Sequence, residues 1–324
     1  MISRILEFTK NNHLIPDNHK IVVGLSGGPD SIFLLHLLAD IRTQKNITLI
    51  AAHLDHQWRS NSAEDVIFCK KACDDLGIPF VSAQASDLSV AIKPNGSKEE
   101  VGRKLRRAFL ESVAQQHNAH AIALAHHLQD QEETFLIRLI RGTTLSGLIG
   151  MRFKKGVYIR PLLETNKADI LKYLDTHKID YLIDPTNTEL SYLRNRIRAK
   201  VLPTCTEADQ RFDANFVRTV HHLQQAEDFL ELMTHKIFSE MIEKQDGVDW
   251  IDVDKLFEQH PYMQKRILMH WIIQHRVSFY PTDSFLDEII RFLLTSENPE
   301  HALHETWKII KKDGRASITK NNKL

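Results

Sequence analysis

Short apolar runs alternate with longer amphipathic stretches through the first half of the chain. Residues 20–25 (KIVVGL) read as a buried parallel strand, and the segment from Asp30 to about Thr43 as the helix that follows it. Residues 47–53 (ITLIAAH) predict a second strand, and residues 60–76 a second helix closed by Gly77 at its C′ position. A third strand is expected at 80–84, a third helix at 98–117, a fourth strand at 119–125 (AHAIALA) and a fourth helix from His127 to about Arg141, ending at Gly142. Strands separated by long helical stretches imply βαβ units and an α/β fold with a doubly wound, mostly parallel sheet. Such sheets bind ligands beyond the carboxyl ends of their strands.

After Pro203 the pattern changes. Residues 208–245 form a nearly uninterrupted helical pattern, with further helices expected near 262–275 and 283–294, and a lysine-rich stretch from Trp307 onward. This places a boundary between a domain at 1–204 and a second, mainly helical domain at 205–324. Residues 221–260 hold ten carboxylates against three lysines, so that segment repels phosphate.

Composition narrows the class. With 42 basic and 42 acidic side chains the chain is formally neutral, which excludes a wholly basic nucleic-acid binder but not a locally basic one. The three cysteines form no CxxC pair, which argues for free thiols in a reducing compartment and against a cysteine-rich metal site. Charged residues break the apolar run of the first twelve positions, and no stretch reaches the ~20 apolar residues of a membrane span. The expectation is a cytoplasmic protein without a leader or a membrane anchor.

The sharpest local signal is Ser26-Gly27-Gly28-Pro29-Asp30-Ser31, directly after the first strand and opening a helix. Glycines let backbone approach an anion, and the helix start supplies unpaired N–H groups and a positive dipole end. The GxxxxGK[ST] pattern is absent, so the loop carries no P-loop lysine of its own. Asp30 beside phosphates makes sense with Mg²⁺ between them. His53, Asp55 and His56 end the second strand, with Arg59 and Ser62 following; they read either as metal ligands or as hydrogen-bonding strand-end residues. His126, Asp130, Glu133 and Arg141 fall on one face if a single helix includes them all, forming a polar wall over a pocket. Between Glu133 and Glu164 there is no carboxylate, yet Arg138, Arg141, Arg152, Lys154, Lys155 and Arg160 occur. Two further basic tracts, at 194–200 and at Arg103, Lys104, Arg106 and Arg107, add to a local phosphate-binding surface.

Taken together, these blocks resemble the tRNA(Ile)-lysidine synthase family, in its compact form, within the PP-loop ATP-pyrophosphatases. The resemblance rests on SGGPDS at 26–31, HLDHQWRSNS at 53–62, EEVGRKLRR at 99–107 and AHHLQDQEETFLIRLIRGTTLSGLIGM at 125–151. It continues in RPLL at 160–163, DPTN at 184–187 and RNRIRAKVLP at 194–203, so it spans nearly the whole first domain. Gln57-Trp58 stands where the family usually has Gly-Leu, and Gly102 and Arg107 stand where it usually has Ala and Tyr.

The resemblance implies an adenine nucleotide α-hydrolase-like fold, with ATP and Mg²⁺ as cofactors. It implies ATP-dependent adenylation of the C2 carbonyl oxygen of the wobble cytidine in the CAU anticodon of tRNA(Ile). The ε-amine of free L-lysine then displaces AMP. On this reading Ser26, Gly27, Gly28, Pro29, Asp30, Ser31 and His53 bind ATP, and Asp30 holds Mg²⁺. Asp30, His126, Asp130, Arg194 and Arg198 are catalytic, and Asp130 and Glu133 bind lysine. Arg103, Arg106, Arg141, Arg152, Lys154 and Lys155 contact tRNA, the second domain has a tRNA-binding or accessory role, and a homodimer is allowed. Two alternatives stand beside this reading. One is a tRNA 2-thiolation enzyme sharing the loop, which needs catalytic cysteines, whereas Cys69 and Cys73 look like core or face residues. The other is a non-catalytic nucleotide-binding module, which leaves the polar helix face and the basic tracts without a use.

Overall fold

The structure is a computed structural model that describes residues 1–58, 61–88, 98–183, 192–245, 247–277, 279, 281–295 and 298–321. Arg59 and Ser60 of the second motif and the DPTN string at 184–187 lie outside the described residues, as do the side chains of 98 and 99. The chain divides into two compact units, Met1–Leu223 and Gln224–Leu324.

Unit 1 opens with α1 (Ile2–Asn11), followed by β1 (Lys20–Gly24), α2 (Pro29–Lys45), β2 (Thr48–Asp55), α3 (Ser62–Asp75), β3 (Phe80–Gln84), α4 (Lys98–Gln116) and β4 (Ala121–Ala123). Next come α5 (Leu128–Arg141), the single turn α6 (Leu145–Leu148), and the hairpin of β5 (Lys154–Lys155) and β6 (Tyr158–Ile159). The unit closes with α7 (Lys167–Thr176), α8 (Leu193–Arg196), a π-turn at Ile197–Val201, α9 (Leu202–Ala208) and the start of α10 (Phe212–Met241).

The six strands order as β3-β2-β1-β4-β6-β5. All neighbours run parallel except the β5–β6 hairpin. Successive side chains of a strand point to opposite faces, and here both faces are covered. Ile21, Val23, Leu49 and Ala51 pack with Phe33, Leu37, Ile170 and Leu174 of α2 and α7. Val22, Ile50, Ala52 and Leu54 pack with Phe109, Leu110 and Val113 of α4. That two-sided burial explains why these strands are continuous apolar runs, and it bears out the doubly wound α/β expectation. The strand order reverses between β1 and β4, so the segments leaving those two strands flank the switch-point crevice.

Compact unit 1 runs past the 204/205 position expected from the change of pattern at Pro203. Phe212, Phe216, Val217 and Val220 of α10 pack with Leu128 and Phe135 of α5, which draws residues up to 223 into unit 1.

Unit 2 holds the rest of α10, then β7 (Ile242–Gln245), β8 (Val248–Asp252), α11 (Val253–Phe257), α12 (Pro261–Gln274), α13 (Asp283–Thr295), β9 (Glu300–His304), β10 (Trp307–Lys312) and β11 (Arg315–Lys320). The expected helices are present. Beside them lies a five-stranded antiparallel sheet, ordered β7-β8-β11-β10-β9, that the sequence reading did not include. Ile251, Ile309 and Ile318 of the sheet share a core with Ile267, Leu268, Trp271 and Ile289 of the helices. The helical pattern expected to run to Gln245 ends at Met241, because IEKQ at 242–245 pairs as a strand. Three of its four residues are exposed, so it shows no apolar alternation to read. Among the described residues no helix is long and apolar enough to cross a membrane.

Candidate active site

The loop leaving β1 is shaped by its glycines. Gly27 takes φ +82°, a left-handed conformation that suits glycine, and a Cβ there would meet Leu182 Cδ1 at 2.7 Å. Gly28 is the N-cap of α2, and Pro29 begins the helix at the position where a missing N–H is harmless. Ser31 Oγ accepts the Ser26 N–H at 3.1 Å and donates to the Gly28 carbonyl at 2.9 Å, closing the loop on itself. What remains is an exposed Ser26 and a helix start of the kind that binds phosphate. Asp30 is one quarter exposed; its Oδ1 meets Lys167 Nζ at 2.5 Å, and His127 Nε2 lies 3.8 Å from the same oxygen.

The residues ending β2 have protein partners. His53 is buried beneath the loop, where its Nδ1–H donates to the Leu25 carbonyl at 3.0 Å. Burial lowers its pKa against the pull of the Leu25 carbonyl and of Asp55. Asp55 accepts the backbone N–H of Gln57. His56 Nε2 accepts from Arg106 Nη2 at 3.1 Å, and its ring stacks on Trp58 at 4.5 Å. Burial, with the Arg106 charge beside it, takes His56 down to about 4. Among the described residues no group of three or more His, Cys, Asp and Glu could hold a metal ion.

The departures from the family's usual residues are linked here. Gln57 takes φ +55°, a conformation glycine adopts more freely, and its side chain bonds Gln84 and the Ser86 N–H. Gly102 lies against the Trp58 ring, so closely that a Cβ would sit 2.5 Å from Cη2. Arg107 is braced by Glu111 at 2.9 Å and lies over the Tyr158 ring at 5.0 Å.

The face expected on one helix is assembled from two elements. α5 starts at Leu128, with His127 as its N-cap, so His126 precedes the helix. Arg141 is its last residue, exposed and about 12 Å beyond Glu133 along the axis, so it does not share the site. The cations beside Asp130 and Glu133 come instead from the α8–π-turn segment. Arg194 Nε donates to Glu133 Oε2 at 2.6 Å and its Nη2 to Asp130 Oδ1 at 2.8 Å. Arg198 Nε donates to Glu133 Oε1 at 2.5 Å and its Nη2 to Glu133 Oε2 at 3.1 Å. Glu133 is fully buried, while Arg194 and Arg198 keep about two fifths of their side-chain surface in the open. Asp130 Oδ2 accepts the His127 N–H, and His127 Nε2 stands 3.6 Å from it. Burial works to raise the Asp130 carboxyl, but His127, His126 and Arg194 outweigh it and hold it below the usual range. Burial brings His126 down to about 4, which leaves it neutral at pH 7, and its buried Nδ1 finds no hydrogen-bond partner among the described residues. A neutral imidazole with an unsatisfied nitrogen at the end of β4 is suited to meet a polar ligand atom.

The neighbouring Glu132 behaves differently. It is 1% exposed, its Oε1 has no partner among the described residues, and burial, with Asp213 and Glu133 nearby, pushes its carboxyl up to about 8.

The basic residues are spread over several elements. Arg103 and Arg106 are exposed on α4, and Arg103 is near enough to Arg138 for their charges to repel. Lys154 and Lys155 form the exposed edge strand β5, and Arg160 donates to the Arg152 carbonyl at 2.8 Å. Arg138 is turned inward to the Gly147 and Gly150 carbonyls, holding the turn that follows α5.

Lys167 escaped the sequence reading. One physical signal was available: a cation at a helix N-terminus opposes the dipole unless something nearby compensates it. The compensating group, Asp30, is 137 residues away in sequence. The cysteines bear on the thiolation alternative. Cys69 and Cys73 are fully buried, and burial raises both thiols to about 12, so neither is a ready nucleophile.

Comparison with known proteins agrees with this geometry. Residues 1–205 match the family described as the PP-loop domain. A protein of Caldanaerobacter subterraneus named tRNA(Ile)-lysidine synthase is 34% identical over 270 residues, covering 83% of this chain and 58% of its own length. Proteins of the same name from Clostridium acetobutylicum and Bacillus cereus are 36% and 30% identical, covering 76% and 90% of this chain. The chain spans 54% and 63% of those two relatives. Among solved structures, a U34-tRNA thiolase of Methanococcus maripaludis with its 4Fe-4S cluster superposes with a TM-score of 0.60 at 21% identity, covering 69% of this chain and 78% of its own. That likeness is one of fold.

Proposed function

The chain belongs to the PP-loop family, and from that premise we propose that it ligates free L-lysine to C2 of the wobble cytidine in the CAU anticodon of tRNA(Ile) at the expense of ATP. One observation carries the reading. The glycine loop with Asp30, the neutral His126, and the Asp130–Glu133–Arg194–Arg198 network gather beside the β1–β4 switch point. The curated relatives of the same name support it.

In the first step the C2 carbonyl oxygen of the cytidine attacks the α-phosphorus of ATP, and pyrophosphate leaves. Ser26, Gly27, Gly28, Pro29, Asp30 and Ser31 receive the triphosphate, with His53 bracing the loop from below. Mg²⁺ fits the donor set: Asp30 offers one carboxylate, and phosphate oxygens complete the shell. Bound there, it would offset charge on the leaving pyrophosphate. His126 offers its ring to the base or the α-phosphate. In the second step the lysine ε-nitrogen attacks C2, AMP leaves with its oxygen, and the amine gives up a proton.

The amine must be neutral to attack, although free lysine is mostly protonated at pH 7. Asp130 or Glu133 takes the proton that the ε-ammonium must lose, or anchors the substrate's ammonium groups. Their network of two carboxylates and two guanidiniums is neutral. An incoming ammonium takes the place of one guanidinium, and the released Arg194 or Arg198 turns its fork to the lysine carboxylate or the α-phosphate. Arg103, Arg106, Arg152, Lys154 and Lys155, together with Arg141 at the far end of α5, then meet tRNA phosphates, and unit 2 adds an accessory contact. A cytoplasmic location and a homodimer belong to the same proposal, and sedimentation in solution checks the latter.

The test is pyrophosphate release from ATP with a panel of tRNAs, with and without lysine. Release that requires a CAU-anticodon isoleucine tRNA, and incorporation of labelled lysine, are the expected results. Asp30→Ala should lower release by about a hundred- to a thousandfold, the scale of losing a preorganised electrostatic contact. Near wild-type release by that variant would remove Asp30 from the reaction, and release indifferent to tRNA would overturn the function.

A further inference from the structure

We infer that the indole ring of Trp58 is a stacking platform for an unpaired base of the anticodon loop. This deepens the tRNA reading above and rests on it. Trp58 is 46% exposed, although tryptophan is a residue that folding usually buries. The ring is nonetheless held in place. It stacks on the His56 imidazole, with centroids 4.5 Å apart and planes at 23°. Its Cη2–Cζ2 edge fills the notch left by Gly102, where a Cβ would stand 2.5 and 2.6 Å from those atoms. His56 is fixed in turn, because its Nε2 accepts from Arg106 Nη2 at 3.1 Å. Burial and the Arg106 charge keep that imidazole neutral at pH 7, so the stack carries no charge of its own. A ring fixed beforehand loses little freedom when a ligand covers it.

The surroundings of the ring select the ligand. Gly102 and Arg106 are four residues apart on α4 and so share one face of the helix, with Arg103 adjoining. Both arginines are exposed. An exposed aromatic ring bordered by guanidiniums suits single-stranded RNA, which lays a base on the ring and its phosphates on the cations. Bases in a paired stem are already stacked on each other, whereas a loop offers unpaired ones. Stacking engages the π-face of a base and not its hydrogen-bonding edge. Trp58 therefore adds hold and position to the loop rather than base identity.

Trp58→Leu keeps an apolar side chain but has no π-face. Calorimetry of the full chain with unmodified CAU-anticodon isoleucine tRNA should show that variant binding about 5- to 150-fold more weakly, the scale of one lost base–aromatic stack. Gly102→Ala leaves the indole present but fills its notch. It should weaken tRNA binding in the wild-type background and add nothing in the Trp58→Leu background. The salt dependence of affinity should keep its slope in Trp58→Leu, whereas Arg103→Gln should lower that slope by about one. A flattened slope in Trp58→Leu would mean displaced arginines and overturns the inference. So does a loss of MgATP affinity equal to the loss for tRNA, which would give the ring to adenine. Abasic substitutions along the anticodon loop should find one position at which wild type and Trp58→Leu bind alike; a Trp58 dependence that survives them all overturns the assignment to that loop. A wild-type chain that binds no tRNA would overturn the functional reading and this inference with it. Equal tRNA binding by wild type and Trp58→Leu removes Trp58 alone.

Discussion

Glu133 in unit 1 and Glu227 in unit 2 are both buried carboxylates gripped by arginine, and the grips differ. Arg266 donates from Nη1 to both oxygens of Glu227, at 3.0 and 2.9 Å, and from Nε to Thr234 Oγ1 at 3.2 Å. Its side chain is 15% exposed and that of Glu227 7%, so the pair is closed on both sides. Glu133 is more buried still, yet its two arginines remain two-fifths open. A closed pair has nothing to exchange and serves to hold α10 and α12 together. An open one can release a guanidinium to water or to a ligand at little cost. Burial of the carboxylate alone does not separate a brace from a site; the exposure of its cations does.

The largest effect should come from breaking the closed pair. Glu227→Ala leaves Arg266 uncompensated and should cost about 3–5 kcal/mol of unit 2 stability. Three of the four tryptophans, Trp250, Trp271 and Trp307, lie in unit 2, so denaturant titration followed by fluorescence reads it directly. A loss under about 1 kcal/mol would show that the pair is no brace.

The open network should fail differently. Asp130→Asn or Glu133→Gln removes a charge that holds an ammonium, worth about 1.5–3 kcal/mol, or roughly ten- to more than a hundredfold in lysine affinity. The expected phenotype is a raised lysine KM, or adenylated tRNA that accumulates, with ATP binding nearly intact. Normal lysine kinetics in both variants would reduce Glu133 to a brace like Glu227.

The smallest effect concerns Glu132, which has no arginine partner among the described residues. Its folded-state pKa of about 8 lies above the ordinary 4.5, so the folded protein keeps a proton that the unfolded chain gives up. Its stability contribution is therefore fully present below pH 4.5 and is lost as pH rises through 8. Between pH 7 and 8 that amounts to about 1 kcal/mol. Glu132→Gln should flatten this part of the stability profile in thermal melts, and an unchanged slope would mean that Glu132 is ionised in the fold.

What could be read in advance follows from how local each feature is. The strands of unit 1 are buried on both faces and announce themselves as apolar runs, and the glycine loop is contiguous in sequence. The pairing of α5 carboxylates with Arg194 and Arg198 spans more than sixty residues; composition marked those arginines as a basic tract, and only the resemblance gave them a catalytic role. Helical periodicity placed Arg141 beside them, because it reads the angle around the helix and not the two turns of rise from Glu133 to Arg141. Lys167 had no partner nearby in the sequence. The sheet of unit 2 has short strands with lysines on their open face, and charge masks an alternation of two or three apolar residues.

The contact between Trp58 and Gly102 couples two positions far apart in the sequence. An alanine at 102 and the indole ring in its present place exclude each other, so the two replacements are epistatic, and their order matters. A tryptophan arriving first would find its slot filled by a methyl group and would have to leave His56. A glycine arriving first costs about 1 kcal/mol in helix propensity and opens the slot that the ring later fills. The two positions therefore act as one unit: the ring keeps its place on His56 only while residue 102 is glycine.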